Sequence, residues 1–105
     1  MSKQIVIQFQ DVTYTLEYTR KSIEKMEQRG FRVSDVKDKP VSTLPILFAG
    51  AFLAHHPNVR KDVVDAIFAQ CSDKEDLLEK LGEMYSEPIL SMTESEGNLK
   101  WEANW

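Results

Sequence analysis

The sequence predicts an α+β fold: an N-terminal β-hairpin packed on a bundle of about four helices, mostly helical overall. Three observations carry that prediction. Residues 5–18 alternate apolar and polar with period two, and residues 20–29 and 43–92 repeat their apolar positions at helical spacing. The 105 residues suffice for one hydrophobic core but would leave two cores too small to be stable. The composition is that of a globular protein, with 42% hydrophobic and 29% charged residues. A single globular domain is expected over 1–95, followed by a C-terminal tail over 96–105.

The hairpin is expected over 3–18. Ile5, Ile7 and Phe9 alternate with polar residues, as do Val12, Tyr14, Leu16 and Tyr18, and Gln10-Asp11 lies between the two runs as a tight turn. An isolated hairpin is only marginally stable, so its apolar face must rest on helices. Thr19 is placed to cap a helix over 20–29 that turns Ile23 and Met26 inward and stops at Gly30. Residues 31–41 read as an irregular basic connection with a short extended piece at 31–33.

Helix 43–56 follows, with Pro45 in its first turn, where a missing amide costs little. Leu44, Ile46, Leu47, Phe48, Phe52 and Leu53 make it apolar nearly all round, so it is expected at the centre of the fold and buried on every side. Its Ala49-Gly50-Ala51 step would admit a neighbouring backbone. Helix 59–70 carries the stripe Val59, Val63, Ile67 and Cys71, widened by Val64 and Phe68. Ser72 and Glu75 have capping-box spacing ahead of helix 73–92, whose stripe is Leu77, Leu78, Leu81, Met84 and Tyr85. Pro88 either restarts that helix or kinks it.

The net charge of -4 argues against a nucleic-acid partner bound through phosphate neutralisation. The charge is unevenly placed: seven cations face four acids over 20–40, and nine acids face three lysines over 73–105. Such patches read first as solvated helix faces, and second as surfaces that steer head-to-tail self-association into a homo-oligomer or the approach of a polar partner. The opening MSKQIVIQF lacks the long apolar run of a signal peptide, and 44–54 is about half the length that spans a bilayer. With a single cysteine, these features point to the cytoplasm and to no membrane partner.

Few residues invite chemistry. His55 and His56 are adjacent, so on a helix their rings point about 100° apart and do not converge on one ion. They suit a helix C-terminal turn, where an imidazole meets free carbonyls. Cys71 lies on an apolar stripe, where a buried thiol is inert. Gly30, Gly50, Gly82 and Gly97 stand alone, with no phosphate-cradling loop. The carboxylates of 73–87 fall on a solvated helix face. The expectation is a protein without catalytic residues, metal or cofactor: not an enzyme. Leu99, Trp101 and Trp105 differ in kind, being large apolar residues in a polar, aperiodic stretch. They either fold back on the domain's own core or anchor the tail to a partner or a neighbouring subunit.

The chain resembles a family at this point. A hairpin leading into LEYTRKSIEKMEQRGF, then LFAGAFLAHHP, an acidic DLLEKLGEMY and a tail with EGNLKW together resemble the small tail assembly chaperones of Gram-positive siphophages and prophages. The resemblance covers most of the chain. It implies a cytoplasmic protein of the bacterial host that coats the tape-measure protein and brings tail-tube subunits to it. It also implies a longer form made by ribosomal frameshifting, for which no Lys-Lys or Gly-Lys stands near the end. Two other readings compete: a different small phage adaptor or regulator that binds a host or virion protein, and a small metal-dependent enzyme using His55, His56 and Cys71.

Overall fold

The hairpin forms where the alternation places it. In the computed structural model, which describes residues 3–93 and 98–105, β1 (Ile5–Phe9) pairs antiparallel with β2 (Val12–Leu16). Phe9 lies opposite Val12, and both loop residues have positive φ, 49° at Gln10 and 65° at Asp11. Such a two-residue turn matches the strands' right-handed twist. Ile5, Ile7 and Phe9 share the inner face with Tyr14 and Leu16, and Leu16 is fully buried.

Thr19 caps α1 (Arg20–Gln28) through a reciprocal box: its hydroxyl accepts from the Ser22 amide at 3.0 Å, and the Ser22 hydroxyl accepts from the Thr19 amide at 2.9 Å. The helix ends at Gly30, whose φ is +93°. The Gly30 amide reaches the Glu27 carbonyl and the Phe31 amide reaches the Met26 carbonyl. This is the Schellman closure, and its accompanying apolar contact brings together the buried Met26 and Phe31.

The 31–41 connection is more ordered than expected. It contains a single turn, α2 (Asp35–Asp38), and no strand forms at 31–33. α3 (Pro40–Gly50) then starts three residues earlier than the predicted 43, because Pro40 is itself well suited to a first helical position. Pro45 therefore lies inside the helix, and the carbonyl it fails to bond belongs to Val41, which is 89% exposed and open to water. The expected helix to 56 ends at Gly50 and tightens into turns in which Ala51, Phe52 and Leu53 each bond the carbonyl three residues back. Nor is α3 buried on every side. Leu47 and Phe48 are, but Val41 and Ile46 face solvent because a domain this small has no element to cover that flank. What approaches Gly50 is the Met26 thioether of α1 rather than a backbone; a Cβ at Gly50 would lie 2.4 Å from its Sδ.

α4 (Lys61–Gln70) turns Val64 and Ile67 inward. α5 (Lys74–Ser91) starts one residue later than the Ser72 cap predicts: Asp73, held left-handed at φ 47°, accepts the Asp76 amide at 3.3 Å. It runs as one helix through Pro88 and buries Leu81, Met84 and Tyr85.

The core forms where the hairpin, α1, α3, α4 and α5 meet. A chain of aromatic edges crosses it, with Tyr14 on Phe52, Phe52 on Phe48 and Phe48 on Phe68, at centroid separations of 5.8, 5.3 and 5.0 Å. Tyr18 joins the hairpin to α5 through Tyr85 at 5.1 Å, and its hydroxyl donates to the Leu47 carbonyl. The tightened turn after Gly50 sends the Ala51 amide to Phe48, so Tyr18 supplies the donor that the Leu47 carbonyl lacks. The architecture is thus α+β, with a short fifth helix in the 31–41 connection. No helix among the described residues is long and apolar enough to cross a membrane.

Candidate functional site

The polar side chains of the middle of the molecule gather where β2 meets the turn after α3. In an antiparallel pair, alternate residues turn their amides outward. Along this side the Thr15 amide donates to His56 Nε2 at 3.0 Å, and the Glu17 amide donates to the Ala51 carbonyl at 2.9 Å. His56 therefore presents an unprotonated Nε2 and carries its proton on Nδ1. Its ring stands edge-on to Tyr14 at 5.2 Å.

His55 turns the other way and donates from Nε2 to Glu17 Oε1 at 2.6 Å, where the Gln4 amide also donates at 3.1 Å. Glu17 is buried, whereas His55 is 40% exposed. The two imidazoles do not face helix carbonyls as expected; they fasten the α3 turn to the covered edge of the hairpin. Their centroids are 6.4 Å apart, and each ring has its own protein partner. Among the described residues no group of three His, Cys, Asp or Glu side chains is placed to hold a metal ion. Neither imidazole bonds a serine, threonine or cysteine side chain among the described residues.

Cys71 closes α4 half-buried rather than fully buried. Burial pushes its thiol above the usual range, against a smaller opposing pull from Lys74. Glu17 escapes sequence reasoning because it occupies an outward position of an alternating strand, which ordinarily means water. The signal that could have found it is the His-His pair itself, which needs polar partners once the loop carrying it packs against a strand.

The apolar tail residues lie apart from all of this. Leu99, Trp101 and Trp105 are 90%, 83% and 104% exposed, in a segment without regular structure. Residues 96 and 97, where the tail is expected to begin, lie outside the described residues. A third feature had no sequence signal: a cleft of about 340 Å³ between the end of α1, α3 and the turn before α4. Phe31, Ile46, Phe52, Leu53, Val59 and Val64 make its walls apolar, with Arg29 and Lys61 at the rim. Its residues come from three separate stretches that only the fold brings together.

The fold and these surfaces define a small α+β domain that presents an apolar cleft and a tail with exposed tryptophans, with His55, His56 and the buried Glu17 bonded within the domain. The chain belongs to the family described as a domain of unknown function, DUF5055, whose model matches residues 1–105. No curated protein and no solved structure matches it.

Proposed function

We propose that the protein is a tail assembly chaperone of a phage or prophage, acting by contact with tape-measure and tail-tube proteins in the bacterial cytoplasm and without chemistry of its own. The observation that carries this reading is the exposure of Leu99, Trp101 and Trp105 on one segment without regular structure. Tryptophan concentrates at binding hot spots, and three large apolar side chains held in water lower the free energy when a partner covers them. The dispositions of His55, His56 and Glu17 support it too, since all three serve the packing of the hairpin. The resemblance of the LFAGAFLAHHP and EGNLKW segments supplies the partner class. Co-expression with the tape-measure and tail-tube proteins of the same phage or prophage tests it. The chaperone should co-purify with at least one of them and raise the soluble yield of the tape-measure protein; failure of both to co-purify would refute the reading.

A further inference from the structure

The cleft and the tail have complementary chemistry, and each molecule carries one of each. The cleft is walled by apolar side chains, opens beside Ile46 at 48% exposure, and has Arg29 and Lys61 but no carboxylate in its lining. Its volume of about 340 Å³ falls at the small end of clefts that take organic ligands, a size suited to one indole with its flanking atoms. The tail offers that indole in an acidic setting: Glu94, Glu96 and Glu102 outnumber Lys100. Trp101 is 83% exposed and Glu102 follows it directly.

We propose that the cleft of one copy takes Trp101 from the tail of a second copy, with Glu102 set against Arg29 and Lys61. The contact is heterologous. Each chain in it keeps a free tail at one end and a free cleft at the other, so assembly runs head to tail unless a ring closes. Buried indole supplies the affinity, and the rim charges supply orientation and encounter rate.

Trp101 stands 83% exposed, outside the cleft of its own chain, which leaves that cleft open to a second copy. The tail leaves α5 at Ser91, which Arg20 bonds at 3.1 Å at the first turn of α1. The cleft lies at the opposite end of that nine-residue helix, about 13 Å away. The molecule measures 56 × 31 × 25 Å with a radius of gyration of 15.9 Å, above the ~13 Å of a compact domain of this length. An extended stretch between Ser91 and Trp101 could still span about 30 Å, so the test must separate the two occupants.

The chain's two tryptophans are both in the tail, so their emission reports on the tail alone. The experiment follows emission and sedimentation velocity together, from low micromolar to near millimolar protein. Emission should move from water-exposed towards apolar as the sedimentation coefficient rises. I46D and W101A, both at exposed positions, should each weaken association by about tenfold or more while leaving the circular dichroism unchanged. The R29E/K61E pair should weaken it too, and E102K should restore it in that background. Three results overturn the proposal: a monomer with water-exposed emission throughout, an apolar emission independent of concentration (the tail in its own cleft), or association that survives W101A and I46D. The association requires no other protein, so its failure and that of the chaperone reading are distinct results.

Discussion

Replacing Tyr18 by phenylalanine removes one oxygen from the most enclosed polar contact of the core. The ring keeps its packing on Tyr85, but the Leu47 carbonyl loses its donor in a residue that is 4% exposed. A buried acceptor stranded in this way costs about 1–3 kcal/mol. In a domain of this size each kcal/mol moves the melting temperature by about 4–8 °C. The effect has a pH signature. Burial first, and the neighbouring Tyr85 second, push the Tyr18 hydroxyl well above the usual tyrosine range. Below pH ~10 the folded and unfolded chains both hold that proton, and the contact contributes fully. Above it the unfolded chain releases the proton and the folded chain does not, so stability falls by up to about 1.4 kcal/mol per pH unit. Tyr18→Phe lacks this term. Tyr85, which burial and then Glu27 also push up, contributes to both proteins and cancels in the comparison. The penalty of the substitution should therefore shrink by about 1.4 kcal/mol between pH 7 and pH 11. Urea unfolding of both proteins, followed by circular dichroism at the two pH values, measures it. A penalty under about 0.5 kcal/mol at pH 7, or one unchanged at pH 11, would refute the assignment of Tyr18 as the cap of α3.

Other substitutions test the local structure. Gly30→Ala should cost about 1–2 kcal/mol in urea unfolding, purely through its φ of +93°, because a Cβ there meets nothing within 4 Å. The double change Gln10→Asn with Asp11→Gly should raise stability by about 0.5–2 kcal/mol, since both turn positions have positive φ; a neutral or negative result would contradict the turn assignment. His56→Ala should cost about 1–3 kcal/mol and make the Thr15 amide exchange with solvent faster than its β2 neighbours, because Nε2 is its acceptor.

Most of the fold was legible wherever one local rule acts alone. Period-two alternation placed both strands, the Thr19 cap placed α1, and Gly30 placed its end. Legibility failed where two local signals compete or where packing decides. Pro40 and Pro45 both suit a helix start, and the earlier one wins. Ser72 and Asp73 both suit a cap, and the aspartate wins by adopting a left-handed backbone. The apolar run of α3 reads as buried all round, yet which flank stays open depends on how many elements surround it, and Ile46 and Val41 fall on that flank. The candidate surfaces divide in the same way. Leu99, Trp101 and Trp105 stood out because they break the polar character of their own segment. The cleft did not, since Arg29, Ile46 and Lys61 are far apart in sequence and each is unremarked alone.

The most direct measurement of the tail's role is ¹⁹F NMR of chain labelled with 5-fluorotryptophan, titrated with unlabelled tape-measure protein. Only Trp101 and Trp105 carry the label, so two resonances report on the segment and nothing else. If the protein works by contact through this tail, a complex should form and both resonances should shift or broaden as it does. A stoichiometric complex that leaves both resonances unmoved, or no complex at all, would contradict it.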